Sequence, residues 1–423
     1  MRTIHIILVI ALIAIGLGPS VHPALAQGDE DTNTCTQMVQ QVLTDLGTNC
    51  ADIGPNSACY ANKQVSRMFM DETIEDDIFT EPGDQIDLTS LATISTSPFN
   101  LEEKEWGLTV VSTRANIHNA LDDEVTYILF GDVEVESRVQ PEDALQPVEP
   151  ITATTITNVD VYREPDATSE LLGTVLEGAE VQVDAVSPDG DWGRILYNDE
   201  VLNYAAWIQN VALDASVDLD GLPVIDEDNF APMQDILLRN GYDAPECSEA
   251  IAPMMLIQAP ENTQVDLRIN GIDMRLESSV LLRILTPGDR IEAITLDGLL
   301  YLFPGRDRQV IVPPGHRSVG CLSRPGNYGG LDGIDNDRIN SCPFGPPDPL
   351  TEANLQILVF LNLLPINILH YRIIIPIVIT GSGIGTVIIT IILPPLSLAP
   401  ACRLCNQGNL PDNICQRFRC PTP

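Results

Sequence analysis

Ten cysteines, five histidines and one tight cluster of aspartates are the residues of this 423-residue chain whose types and spacing could do chemistry. The last four cysteines fall as Cys402-x-x-Cys405 and Cys415-x4-Cys420. Four thiolates so spaced can close a tetrahedral Zn²⁺ site in a reducing compartment, whereas in an oxidising one they become two disulfides. In G-L-D-G-I-D-N-D, Asp332, Asp335, Asn336 and Asp337 crowd six positions of a glycine-kinked loop, as the hard oxygen ligands of Ca²⁺ do. A solvated acidic loop explains the same residues more simply, so no resident cofactor is expected. Beyond the first 26 residues the histidines are His118, His316 and His370, none of them in a His-Glu-x-x-His arrangement or beside a nucleophile motif. Gly-Ser-Gly-Ile-Gly at 381–385 lacks the Lys-Ser/Thr that closes a phosphate loop. A non-catalytic protein is therefore expected. The remaining enzymatic alternative, a secreted carboxylate hydrolase, needs a deep cleft holding two facing acids.

What those cysteines do depends on compartment, which the N-terminus addresses. Arg2, the apolar stretch Ile4 to Leu17 and the small residues of Ala24-Leu25-Ala26 read as a secretory signal peptide over 1–26. Export makes the environment disulfide-permissive. Among Cys35, Cys50 and Cys59, a disulfide plus one long-range partner is expected, and Cys247 and Cys321 read as a bridge across the ends of a later module.

Sixty acidic residues against 22 basic ones give a formal net charge of −38, which argues against nucleic-acid binding because such surfaces repel phosphate. The charge is uneven. Residues 27–338 carry 57 acids and 17 bases, while 339–423 carry Asp348, Glu352 and Asp412 against four arginines. Within the apolar stretch 354–398, Ile373 to Leu393 spans 21 residues without an ionisable group, long enough for a membrane-spanning helix. Its β-branched composition around Gly-Ser-Gly also allows a buried β-hairpin. The spanning form is the expectation, with the acidic part outside and the Cys-rich tail 399–423 inside.

The exported part divides into modules. Residues 27–145 read as an α+β module that opens with a helix capped at Thr34, on which Val39, Val42, Leu43 and Leu46 recur at helical spacing. Later in it, Leu108 to Val111 and Val125 to Phe130 read as strands. The Pro-rich 140–150 and the acidic 214–229 read as linkers. Residues 230–321 show strand-like runs 254–258, 265–269, 272–276, 280–285 and 291–296, with Asn270-Gly271 as a hairpin signal, and read as a β-sandwich-like module. An Asp/Pro-rich loop covers 322–353.

Between the linkers, Val161-Tyr162-Arg163-Glu164-Pro165, then Leu172 to Gly178, then Asp189 to Ile195, then Ala206-Trp207-Ile208 follow one another with short alternating strands. Over 152–213 this order of landmarks resembles the bacterial SH3-like (SH3b) family. The resemblance implies a small barrel of five to seven strands that binds cell-wall peptide or glycan on exported proteins. Tyr162, Tyr197, Tyr204 and Trp207 are the ligand-stacking candidates. Val265 to Gly298 is faintly similar to the exported sensor domain of FecR-type proteins. The expectation is thus a mainly β, multi-domain surface protein with a probable transmembrane segment that binds an envelope or extracellular ligand, or another surface protein, and associates with the membrane. Secretion without an anchor is the alternative localisation, and the alternative function is a sensory or structural protein in which the barrel only spaces domains.

Overall fold

The computed structural model describes residues 28–71, 78–121, 123–226, 229–277, 279–286, 290–322, 342–350, 354–371, 373, 377–382 and 386–391. The signal-peptide region, Asp332, Asp335, Asn336, Asp337 and Cys402, Cys405, Cys415 and Cys420 lie outside them. Strand outweighs helix throughout, in keeping with a mainly β chain of several sheets.

Two large sheets share one core. The first sheet has nine strands in the order Asp348–Pro349, His316–Cys321, Arg290–Thr295, Ser279–Leu285, Met254–Gln258, Val125–Phe130, Leu108–Thr113, Ser57–Asn62, Gln85–Asp87. The second has eight: Val65–Phe69, Leu91–Thr96, Val133–Ser137, Asp235–Asn240, Val265–Ile269, Ile272–Leu276, Leu300–Leu302, Val310–Val312. Between them Leu91, Tyr127, Leu129, Ile236, Met255, Leu267 and Leu282 are buried together.

The two sheets differ in how their sequences meet water. In the first, L-T-V-V-S-T and V-T-Y-I-L-F are buried at every position, because helices cover the second face. Helix α1 (Gly28–Asn49) lays Met38, Val39, Val42, Leu43 and Leu46 on that face, and the short α2 (Leu355–Leu361) adds Phe360 edge-on to Trp106 and Phe130. In the second sheet, V-E-V-E-S, V-D-L-R-I and I-D-M-R-L alternate buried and half-buried, the pattern of a sheet with one face free. The helix expected from Thr34 begins at Gly28.

Residues 27–145 and 230–321 do not form separate modules. Val125–Phe130 pairs with Met254–Gln258 and Val133–Ser137 with Asp235–Asn240, so the two segments build a single sandwich. Turn and periodicity signals are local and carry no information on pairing across a hundred residues. The cysteines follow the same logic: Cys50–Cys59 is local, Cys35–Cys247 ties α1 to the second segment across 212 residues, and Cys321–Cys342 closes a short loop. The expected pairing of one disulfide and one long-range partner thus holds for the first three. The expected Cys247–Cys321 bridge is corrected, because the shared sheets bring Cys247 to α1 instead. Disulfides of this kind persist in oxidising compartments, in keeping with export.

Into this sandwich, between Val133–Ser137 and Asp235–Asn240, the chain inserts a six-stranded antiparallel sheet. Its order is Leu171–Val175, Val159–Tyr162, Asn203–Gln209, Trp192–Asn198, Glu180–Val186, Ile151–Thr154, around Val161, Val183, Ile195, Ala206 and Ile208. The acidic stretch 214–229 is not a free linker. Leu222 is buried, and the Val186 N–H donates to the Pro223 carbonyl while the Ile225 N–H donates to that of Val186.

The span expected to cross a membrane takes its other form. Ile377–Ser382 and Thr386–Ile391 pair as an antiparallel hairpin, from Ile377 opposite Ile391 to Ser382 opposite Thr386. β-Branched residues favour strands. Among the described residues no helix is long and apolar enough to cross a membrane. The preceding apolar stretch is core, with Ile357, Leu358, Phe360, Leu361 and Leu364 buried against the first sheet.

Candidate functional site

The free face of the second sheet and one wall of the inserted domain enclose a cleft of about 530 Å³. Its floor is written in the hairpin V-D-L-R-I-N-G-I-D-M-R-L. Asn270 and Gly271 take φ of 52° and 72°, both left-handed, as a two-residue type I′ turn requires. That turn sets Asp266 opposite Arg275 and Arg268 opposite Asp273. Opposite charges facing each other across strands contribute roughly 0.2–1 kcal/mol per pair. The Arg275 guanidinium donates to both oxygens of Asp266, at 2.6 and 3.1 Å, and Arg268 Nε donates to Asp273 at 2.9 Å. Arg306 reaches the other Asp273 oxygen at 2.5 Å.

The opposite wall comes from the inserted domain. Arg163 lies over the Tyr204 ring at 5.2 Å and donates to Glu170 and to the Gln264 side-chain oxygen. Glu164 accepts from Arg275 at 3.4 Å, joining wall to floor. Phe230 lines the cleft beneath Arg268, 4.6 Å from ring centroid to guanidinium. Burial pushes the Glu164 carboxyl up, aided by the charge of Asp266 and opposed by Arg275 and Arg163. Next to the floor, burial pushes Asp235 up to about 6 against the pull of Arg268.

A buried charge cluster docks the domain. Arg194 makes a bidentate pair with Asp184, at 2.7 and 2.8 Å. Asp184 also accepts the backbone N–H of Asn119, from the sandwich, at 2.8 Å, and the His118 ring nitrogen Nε2 lies 3.4 Å from it. Burial would raise Asp184, yet the Arg194 charge and hydrogen bonds outweigh it and hold the carboxyl below its ordinary range. Burial lowers His118 to about 4, so the ring is neutral at pH 7. Backbone bonds complete the junction: Asn203 N–H donates to Asn262, and Gln264 N–H donates to Asn203.

Of the aromatic candidates, Tyr204 and Trp207 line the cleft, both buried, and Tyr204 donates its hydroxyl to Asp199 at 2.9 Å. Tyr197 is half-buried and stacks on Tyr204, while Tyr162 is half-buried and meets Trp192 edge-on. Of the four stacking candidates the cleft thus brings together Tyr204 and Trp207 and not Tyr162 or Tyr197. Sequence reasoning missed Arg268, Arg275, Arg306 and Phe230; the D-x-R alternation in two strands flanking Asn-Gly was the available signal. Cys35, Cys247 and Glu249 come close enough to suggest a metal site, but both sulfurs are in the disulfide and offer no thiolate.

Guanidinium groups and aromatic rings arranged this way suit a ligand with planar or anionic polar groups, since Arg offers a rigid fork of donors and stacks on π faces. Glu164 and Asp266 both bond the same guanidinium, so they do not face each other across open space as a hydrolase pair would. No family model, curated protein or solved structure matches this chain.

Proposed function

We propose that this is an exported, non-catalytic binding protein whose inserted domain acts as an SH3-like module, and that an envelope or extracellular ligand is held between that domain and the second sheet. The observation that carries this reading is the convergence of Arg163, Arg268, Arg275 and Arg306, each held by a carboxylate, with Tyr204, Trp207 and Phe230 on one cleft. Three disulfides support export. For localisation we take export, with secretion or attachment through the bound ligand.

The test is retention of the full exported chain on native envelope and purified peptidoglycan preparations. Arg306, more than half exposed, and Phe230, half-buried, can be changed without emptying a core. Arg306→Ala and Phe230→Ala should each reduce retention roughly threefold to tenfold, the range of about 1 kcal/mol. Failure of the unaltered protein to be retained, or equal retention of both variants, removes the proposal. The spacer reading draws on the Asp184–Arg194–His118 cluster, which fixes the domain on the sandwich, and it expects no retention.

A further inference from the structure

The inserted domain has a second concavity, of about 620 Å³, that shares no lining residue with the arginine cleft. Its position follows from the end of the domain. After strand Asn203–Gln209 the chain makes a single 3₁₀ turn, Asn210–Ala212, that buries Ala212 and turns Val211 outward at 80% exposure. Ile156, 54% exposed, and Val224, 51% exposed, flank it. Exposed aliphatic side chains scattered singly need no explanation, but these three border one groove whose floor includes Leu213, Val217 and Leu222.

The groove is preformed. Ile156 N–H donates to the Ala212 carbonyl, Asp214 N–H to that of Thr154, and Ile225 N–H to that of Val186, so its walls are tied to the sheet. Its rim is of one sign. Asp214, Asp218 and Asp220 line it, and among the described residues no Lys, Arg or His does. Asp214 and Asp218 accept the backbone N–H groups of Ser216 and Asp220, at 2.9 and 3.0 Å, which fixes where these carboxylates stand.

We infer that this groove docks a short extended apolar segment flanked by lysine or arginine, supplied by another exported protein. Apolar area in the floor supplies the attraction and the aspartate rim selects the flanks. The chain's own charge disfavours the other occupants. A second copy would bring another strongly acidic surface to an acidic rim, and anionic lipid headgroups would be repelled by it.

The probe is a fluorescein-labelled peptide with the core Val-Ile-Val-Ile and two lysines at each end, titrated with the full exported chain and followed by anisotropy. A peptide with glutamates in place of the lysines is the comparison. The lysine peptide should bind saturably and weaken about tenfold or more between low and high salt, because partly exposed charges are screened. Val211→Asp should abolish binding, and the combined Asp214→Asn, Asp218→Asn, Asp220→Asn variant should weaken it about tenfold, because the rim charges select the basic flanks. Arg306→Ala, which belongs to the cleft, should leave it unchanged, so failure here is separable from failure of the cleft reading. Should Val211→Asp fold poorly by circular dichroism, Val224→Asp takes its place. Equal binding of the glutamate peptide, no binding of either, or unaltered binding by the Val211 or Val224 variant overturns the inference. A concentration-dependent dimer in sedimentation that Val211→Asp abolishes overturns it too, by making a second copy the occupant.

Discussion

The sandwich and the inserted domain reach stability by opposite routes. The sandwich joins segments more than a hundred residues apart, as in Val133–Ser137 on Asp235–Asn240, and carries the 212-residue Cys35–Cys247 link. The inserted domain is contiguous, built mainly from neighbouring strands, and none of the three disulfides enters it. A contiguous unit closes short loops and a stitched one long loops, so the stitched part has more to gain from a covalent link. The two concavities lie on the contiguous part and where it meets the stitched one.

Removing the long disulfide tests that contrast hardest. Cys35→Ala with Cys247→Ala should destabilise the sandwich by about 5 kcal/mol on the loop-closure account. Amides of Leu108–Thr113 and Val125–Phe130 should lose exchange protection while those of Trp192–Asn198 keep theirs; parallel loss in both would show one cooperative unit. Next in size is Arg194→Met, which strands the buried Asp184 carboxylate and should cost about 4 kcal/mol. Its effect on exchange should begin at the junction around 118–120. An effect confined to the sandwich interior would break the assignment of that cluster to docking.

Acid should separate the two regions. His118 has a folded pKa of about 4, below its unfolded value of 6.5, so its contribution is complete above pH 6.5 and is lost as pH falls through 4. The loss amounts to about 3 kcal/mol, which denaturant melts at pH 7 and pH 4 would show and which His118→Gln should flatten. Asp235 runs the other way: its folded pKa, about 6, is raised, so its contribution is complete below the unfolded 3.8 and lost as pH rises through 6. Asp235→Asn should remove that opposing dependence. Smallest is Gly173→Ala, whose Cβ would come within 1.9 Å of the Tyr197 hydroxyl. Tyr197 must swing off Tyr204, at about 2 kcal/mol, the range for overpacking, and near-ultraviolet circular dichroism of the domain should change while the sandwich is untouched.

Much of this was legible locally. The strands at 254–258, 265–269 and 272–276 stand where their runs place them, because alternation and Asn-Gly act within a dozen residues. The apolar face of α1 is also as its spacing reads. The arginine cleft was not legible. Arg163 and Arg275 are 112 positions apart in sequence, and only docking of the inserted domain brings Glu164 onto Arg275. Nor was the hairpin at 377–391 decided, since a long β-branched apolar run satisfies either a helix or a strand pair on composition alone.

By itself, then, the sequence determined the local elements, the acidity of residues 27–338, the supply of cysteines and the alternation of charge on strands 265–269 and 272–276. Tertiary structure alone decided that 27–145 and 230–321 are one sandwich, that Cys247 meets Cys35, and that Tyr204 and Trp207 face a charged cleft. The reason is range: periodicity and turn chemistry act between neighbours, whereas sheet pairing and burial are settled by competition among every apolar surface the whole chain offers.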